Sequence, residues 1–130
     1  MTIGALAEAT GASVDTLRFY EKRGLLPRPR RTAGGFRDYD AGAVARMRAI
    51  LRAKALGFTL EEVRTLLHLA DAPADDAEAV RQTAADRLAE TERALADLVR
   101  QRDALARLVE ACDGPETHRH DCPILEEILA

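Results

Sequence analysis

At 130 residues the chain is about one domain's worth of polypeptide, or a small domain with an extension. It is 47% hydrophobic with only 4% aromatics, so Leu, Val, Ile and Ala must build its core, and that favours helix. The net charge of −3 hides a segregation: residues 1–70 carry 12 Lys/Arg against 7 Asp/Glu, a net +5, and residues 71–130 carry 7 against 15, a net −8. A basic front and an acidic back suit an anionic polymer such as DNA at one end and something else at the other.

The elements follow in chain order. Ile3, Leu6 and Ala7 form the apolar face of a short first helix, with Thr2 as its N-cap and Gly11 as its end. Ser13 caps a second helix that runs through Val14, Leu17 and Arg18 to about Arg23, and Gly24 stops it. Two short helices around a glycine-bearing turn make a helix-turn-helix. The stretch from Leu25 to Tyr39 holds Pro27 and Pro29, which exclude helix, and Gly34-Gly35, a hairpin signal. It reads as a small β-wing with Phe36 and Tyr39 on its returning strand. Both Phe19 and Phe36 are expected in the core.

Asp40 caps a third helix with Val44, Met47, Ile50 and Leu51 on its apolar positions, ended by Gly57. Thr59-Leu60-Glu61-Glu62 is a capping box opening a fourth helix that carries Val63, Leu66 and Leu67. His68, near its end, reads as a surface or packing residue. Pro73 makes a break. From about Asp75 to Ala111 there is neither Gly nor Pro, and Ala84, Leu88, Thr91, Leu95, Leu98, Arg102, Leu105, Val109 and Cys112 alternate by four and three. That heptad seam predicts a helix of roughly 55 Å, too long to bury its stripe in so small a domain. An antiparallel two-stranded coiled coil with a second copy is the expected remedy. The alternative is a helix folded back on its own N-terminal domain. Gly114-Pro115 end this rod, and Pro123 opens a short last helix through Leu129.

The expected fold class is therefore mainly α: a winged helix-turn-helix over 1–70, a dimerisation helix over 75–111, and a loop with a short helix over 112–130. There is no run of about 18 apolar residues, so no membrane partner is expected, and the opening residues lack the basic-then-apolar layout of an export signal. A cytoplasmic chain is expected. Two cysteines are there more readily reduced thiols or metal ligands than a disulfide. No nucleophile–base set or phosphate loop is visible, so no enzyme is expected.

Arg18, Lys22 and Arg23 lie on or near the second helix, which would enter a major groove. Thr16 and Tyr20 share a face with them and reach towards phosphate or base edges. Arg28, Arg30, Arg31 and Arg37 line the wing and suit phosphate contacts, which supply affinity more than sequence choice. Tyr39 suits either the core or the nucleic acid. The alternative for any one Arg is a solvated basic surface.

The run Ile3-Gly4-x-Leu6-Ala7, Thr10-Gly11-x-Ser13-x-x-Thr16-Leu17-Arg18-Phe19-Tyr20-Glu21-x-x-Gly24-Leu25-Leu26, then Arg31, Gly35-Phe36-Arg37-x-Tyr39 and Leu56-Gly57-Phe58-Thr59-Leu60-Glu61-Glu62-Val63, closely resembles the MerR family of transcription regulators. The resemblance continues to Cys122-Pro123-Ile124 and so covers essentially the whole chain. It implies a homodimer on double-stranded promoter DNA with an overlong spacer, which distorts that DNA so that RNA polymerase engages both promoter elements.

Cys112 closes the rod and Cys122 opens the last helix, with a loop between them that can fold back and bring both sulfurs to one ion. Thiolates are soft and select Cu(I), Zn(II) and similar ions. The layout resembles the metal-sensing branch of the family, and that resemblance implies Cys112 and Cys122 as the ligands. In the branch's divalent sensors a third Cys stands near the start of the rod; here that place falls at about Ala77, which cannot ligate. The match leans towards Cu(I) or Ag(I) held by two thiolates. One departure pulls the other way. The loop is longer than in copper sensors and carries His118 and His120, which with the two Cys make a tetrahedral Cys₂His₂ zinc set or serve another thiophilic divalent ion. The two His read equally as solvated loop residues. A regulator whose effector is redox, through a Cys112–Cys122 disulfide, or an organic molecule is the remaining alternative.

Overall fold

The computed structural model describes residues 1–72, 76–112 and 122–130. The chain divides into two compact units, Met1–Ala84 and Ala85–Ala130.

In the first unit, α1 (Ile3–Thr10) and α2 (Val14–Lys22) are each opened by a hydroxyl cap. Thr2 accepts from the Ala5 N–H and Ser13 from the Thr16 N–H, both at 3.1 Å, each satisfying an otherwise orphaned helix donor. Gly11 closes α1 at φ 77, a left-handed conformation that a side chain resists. α3 (Ala41–Ala55) starts at the Asp40 cap, and α4 (Leu60–Asp71) at the reciprocal Thr59–Glu62 capping box. Thr2, Ser13, Asp40 and Thr59 are thus the caps expected from the sequence.

Between α2 and α3 lies the wing, an antiparallel pair of β1 (Arg30–Arg31) and β2 (Arg37–Asp38), with Arg30 opposite Asp38 and Arg31 opposite Arg37. Gly35, at φ 82, supplies the turn, and the Thr32 N–H donates to the Phe36 carbonyl at 2.7 Å. The returning strand is shorter than expected: Phe36 sits in the turn before it and Tyr39 directly after it.

Leu6, Leu17, Tyr20, Leu25, Leu26, Tyr39, Met47, Ile50, Phe58 and Val63 form the core, where α1 packs on α2 and α3, and α3 on α4. Two aromatics depart from expectation. Phe19 is 46% and Phe36 75% exposed. On α2 the buried stripe is Leu17, Tyr20 and Glu21, the three-and-four spacing of one helix face, and Phe19 falls off it. It lies instead beside Tyr20, ring centroids 5.6 Å apart, and under the Arg23 guanidinium. At the wing Tyr39 turns into the core, whereas Arg37 stays exposed and Phe36, in the turn before β2, faces solvent.

Arginines bolt these elements together. Arg48 donates to the Ala9 carbonyl at the end of α1 at 3.1 Å, and Arg64 to the Arg23 carbonyl at the end of α2 at 2.6 Å. Arg46 donates to the Leu25 carbonyl at 3.2 Å and pairs with Asp71 at 2.6 Å.

α5 (Ala77–Ala111) is one helix of 35 residues, about 52 Å at 1.5 Å per residue. Asp76 accepts from the Ala79 N–H at its start. No residue of α5 is buried, and Leu88, Leu95, Leu98, Leu105 and Val109 stand exposed along it. α6 (Pro123–Leu129) follows Cys122. No helix among the described residues is long and apolar enough to cross a membrane.

Leu17 is fully buried at the α1–α2 junction. Leu17→Ala is expected to destabilise the protein by about 2–5 kcal/mol, from lost burial plus a residual cavity. The measurement is urea unfolding followed by circular dichroism; a midpoint unchanged from wild type would contradict this packing.

Candidate nucleic-acid interface and thiol site

Arg18, Glu21, Lys22, Arg28, Arg31 and Arg37 line one open cavity of about 600 Å³ where α2 meets the wing. Five of these six side chains are cationic. α2 supplies Arg18 and Lys22 from its exposed face, and the wing supplies Arg28, Arg31 and Arg37. Arg31 also braces the hairpin by donating to the Gly35 carbonyl at 2.9 Å. The concentration of guanidinium groups beside a helix of groove-reading size is what binding to a phosphate backbone requires.

The sixth group is an acid. Glu21 is 8% exposed, the buried charged side chain among the described residues. Its Oε2 accepts from the Tyr39 hydroxyl at 2.7 Å. Arg37 approaches with one nitrogen 3.2 Å from Oε1 and another 3.5 Å from Oε2. The buried carboxylate is therefore paired and hydrogen-bonded, as burial of a charge demands. Burial, then the hydrogen bond to Glu21, holds the Tyr39 hydroxyl above its usual pKa, with Arg37 opposing.

The sequence-predicted residues fall into two sets. Arg18, Lys22, Arg31 and Arg37 come together at the cavity. Thr16 is half-buried, its hydroxyl 2.8 Å from the Ser13 capping hydroxyl. Tyr20 departs from its expected exposed face and belongs to the core; Tyr39, open between core and nucleic acid in the sequence, is also in the core, at 3% exposure with its hydroxyl donating to Glu21. For Tyr20 the reason is the three-residue step from Leu17, which carries it onto the buried face of α2. Glu21 was not expected as a site residue. Its step of four from Leu17 is the signal that places it inside.

At the other end of the chain, Cys112 follows α5, its N–H donating to the Leu108 carbonyl at 3.1 Å. Cys122 is the N-cap residue of α6. The two Sγ atoms lie 3.7 Å apart, far beyond the roughly 2.05 Å of a disulfide. Both are free thiols, partly exposed. The Cys122 thiol sits below its ordinary pKa, chiefly because the Leu125 N–H points at the sulfur, helped by the Ile124 N–H and the Cys112 thiol; desolvation and Glu126 oppose. Among the described residues no three or more His, Cys, Asp and Glu gather as a metal cluster. His118 and His120 lie outside the described residues.

The family described as MerR HTH family regulatory protein matches residues 1–69, and that described as MerR, DNA binding matches residues 44–108. The chain belongs to the MerR family. It is accordingly a DNA-binding regulator and not an enzyme. The HTH-type transcriptional regulator HmrR of Rhizobium leguminosarum bv. viciae is 41% identical over 128 residues, 98% of this chain and 97% of that regulator. The mercuric resistance operon regulatory protein of Serratia marcescens is 35% identical over 98% of this chain and 87% of its own length. Among solved structures, the transcription regulator PbrR691 from Ralstonia metallidurans CH34, in complex with lead(II), superposes with a TM-score of 0.86 at 34% identity, covering 98% of each chain. The winged helix-turn-helix and the long α5 are the MerR architecture expected from the sequence.

Tyr39→Phe removes one donor from a buried, paired carboxylate. It is expected to cost about 1.5–3 kcal/mol of folding stability, the range for hydrogen bonds to charged groups. Urea denaturation measures it, and a midpoint identical to wild type would contradict the Tyr39–Glu21 bond.

Proposed function

We propose that this MerR-family chain is a dimeric, metal-responsive regulator that binds promoter DNA and activates transcription by distorting it when a thiophilic ion is bound. The observation that carries the reading is the Cys112–Cys122 sulfur pair, 3.7 Å apart, in a chain whose front end is a MerR reading head. Those two thiolates would hold the ion. When bound, such an ion would supply soft positive charge that offsets the thiolates, in part for Cu(I) or Ag(I) and fully for a divalent ion, and Cys112 and Cys122 would hold it between the end of α5 and the start of α6. Names among the relatives support a metal effector: a mercuric resistance operon regulator and a lead(II) complex.

Division of labour follows residues 1–70 for DNA, 75–111 for dimerisation and 112–130 for the ion. Arg18 and Lys22 on α2 read the major groove, with Thr16 at its edge, and Arg31 and Arg37 grip phosphates. Tyr20 and Tyr39 shape this surface from beneath. The exposed apolar stripe of α5 is covered by a second copy in an antiparallel coiled coil. Bending a promoter-sized duplex costs of the order of 1–6 kcal/mol, within reach of the about 10–16 kcal/mol that a thiolate-rich zinc site can release. The ion biases two preset arrangements of the dimer, and RNA polymerase engages the distorted promoter. The protein works in the cytoplasm, where thiols stay reduced.

Cu(I) or Ag(I) is the favoured effector. The chain has two Cys in all, and Ala77, first residue of α5, offers no third ligand. A divalent reading, with Zn(II) held also by His118 and His120 or with Hg(II), Cd(II) or Pb(II), is favoured instead by the lead(II)-bound relative. Competitive titration of the reduced protein decides between them. Ag(I) is expected to displace Zn(II) at one ion per sulfur pair, the His118→Ala/His120→Ala variant to bind Ag(I) as wild type does, and Cys112→Ser to lose binding by at least about 100-fold, as deletion of one of two ligands implies. Zn(II) retention that disappears in the double His variant would establish the divalent reading, and loss of reactive thiols under oxidant alone would establish a redox one.

Arg18→Ala and Arg37→Ala are each expected to weaken binding to a promoter duplex by roughly 10-fold, within the 1–3 kcal/mol range of a good contact, while gel filtration still shows a dimer. An electrophoretic shift unchanged by both would contradict the DNA surface.

A further inference from the structure

We infer that Glu21 is a positioning residue of the reading head: it locks the wing onto α2, so that Arg37 is presented at a fixed place beside Arg18. The inference rests on the DNA-binding reading above and names a residue that this reading does not use. Two observations carry it. The wing consists of two strands of two residues each, far too little to fix its own position in water. And two side chains at the end of that wing, the exposed Arg37 and the buried Tyr39, both terminate on the Glu21 carboxylate, at 3.2 Å and 2.7 Å. The carboxylate is buried on α2 and sits among Arg18, Lys22, Arg28, Arg31 and Arg37. Helix and wing thus meet DNA as one body.

Charge alone makes the opposite prediction. A negative group inside a phosphate-facing cavity repels DNA, so neutralising it tightens binding if electrostatics is all that it does. If Glu21 positions Arg37, neutralising it weakens binding, because Arg37 then pays an ordering cost at the moment of contact. The Glu21→Gln variant keeps an oxygen to accept from the Tyr39 hydroxyl and removes the charge that pairs with Arg37.

The probe is a duplex that the wild-type protein itself selects from a random pool. At about 150 mM salt, Glu21→Gln is expected to bind it roughly 5-fold more weakly despite the added positive charge, and to change affinity by less than about 2-fold in an Arg37→Ala background, the signature of residues that act through each other. Equal or tighter binding by Glu21→Gln, or the same penalty in both backgrounds, overturns the inference. If Glu21→Gln fails to fold, Arg37→Lys replaces it: the charge stays and the two-nitrogen fork on Glu21 goes, so a loss of roughly 5-fold with an unchanged salt slope is expected. Wild-type affinity of Arg37→Lys overturns the inference. Selection of no duplex by the wild-type protein would instead overturn the DNA-binding reading itself.

Discussion

A 35-residue helix with no buried residue cannot stand alone in water with its leucines showing. Leu88, Leu95, Leu98 and Leu105 lie at heptad spacing on α5, and all are exposed. Water drives such a stripe to find cover, at about 25 cal/mol for each Å² removed. The proposed function depends on that cover being a second copy. Pairing doubles the reading head, which suits a two-fold promoter site, and it gives the thiol pair a mechanical partner to act upon. An unpaired helix would make a DNA binder with a metal site and no means of joining the two.

At the reading head a different economy holds. Cationic side chains gather where α2 meets the wing, and repulsion among them would push the wing away. Glu21 offsets it from inside: a buried carboxylate with Tyr39 and Arg37 as partners is costly to disturb, because removal of Arg37 leaves its charge unpaired and removal of Tyr39 takes away a hydrogen bond in a poorly solvated place. In its proposed positioning role, the carboxylate turns a marginal hairpin of two-residue strands into a defined part of the surface. At the thiol end, the Leu125 and Ile124 N–H groups at the start of α6 already favour the Cys122 thiolate, the form that ligates a metal.

Most of the fold was legible in the sequence, for a physical reason. Caps, glycine stops and apolar periodicity are local signals, and at Thr2, Ser13, Asp40, Thr59 and Gly11 local preference and tertiary need agree. The reading head was half legible. Residue type put forward Arg18, Lys22, Arg31 and Arg37, and the structure gathers these four at one cavity. It left Tyr39 open between core and nucleic acid and put Tyr20 on the exposed face, whereas the structure buries both. It misplaced Phe19 and Phe36 in the opposite sense, because large aromatics are expected inside whereas these two sit off the buried faces of α2 and the wing. Glu21 went unnoticed because an acid is expected outside, and only its step from Leu17 argues otherwise. The spacing of Cys112 and Cys122 allowed their approach without requiring it; the structure places their sulfurs 3.7 Å apart.

The central claim is that an ion captured by Cys112 and Cys122 is converted into transcription. Its most direct test is run-off transcription from a promoter that the protein binds, with purified RNA polymerase and both thiols kept reduced, as Ag(I) or Cu(I) is added. The account predicts that transcript rises and saturates near one ion per sulfur pair, and that Cys112→Ser protein, still bound to the promoter, gives a flat response. Transcript that ignores every thiophilic ion while the wild-type protein occupies the promoter would contradict it.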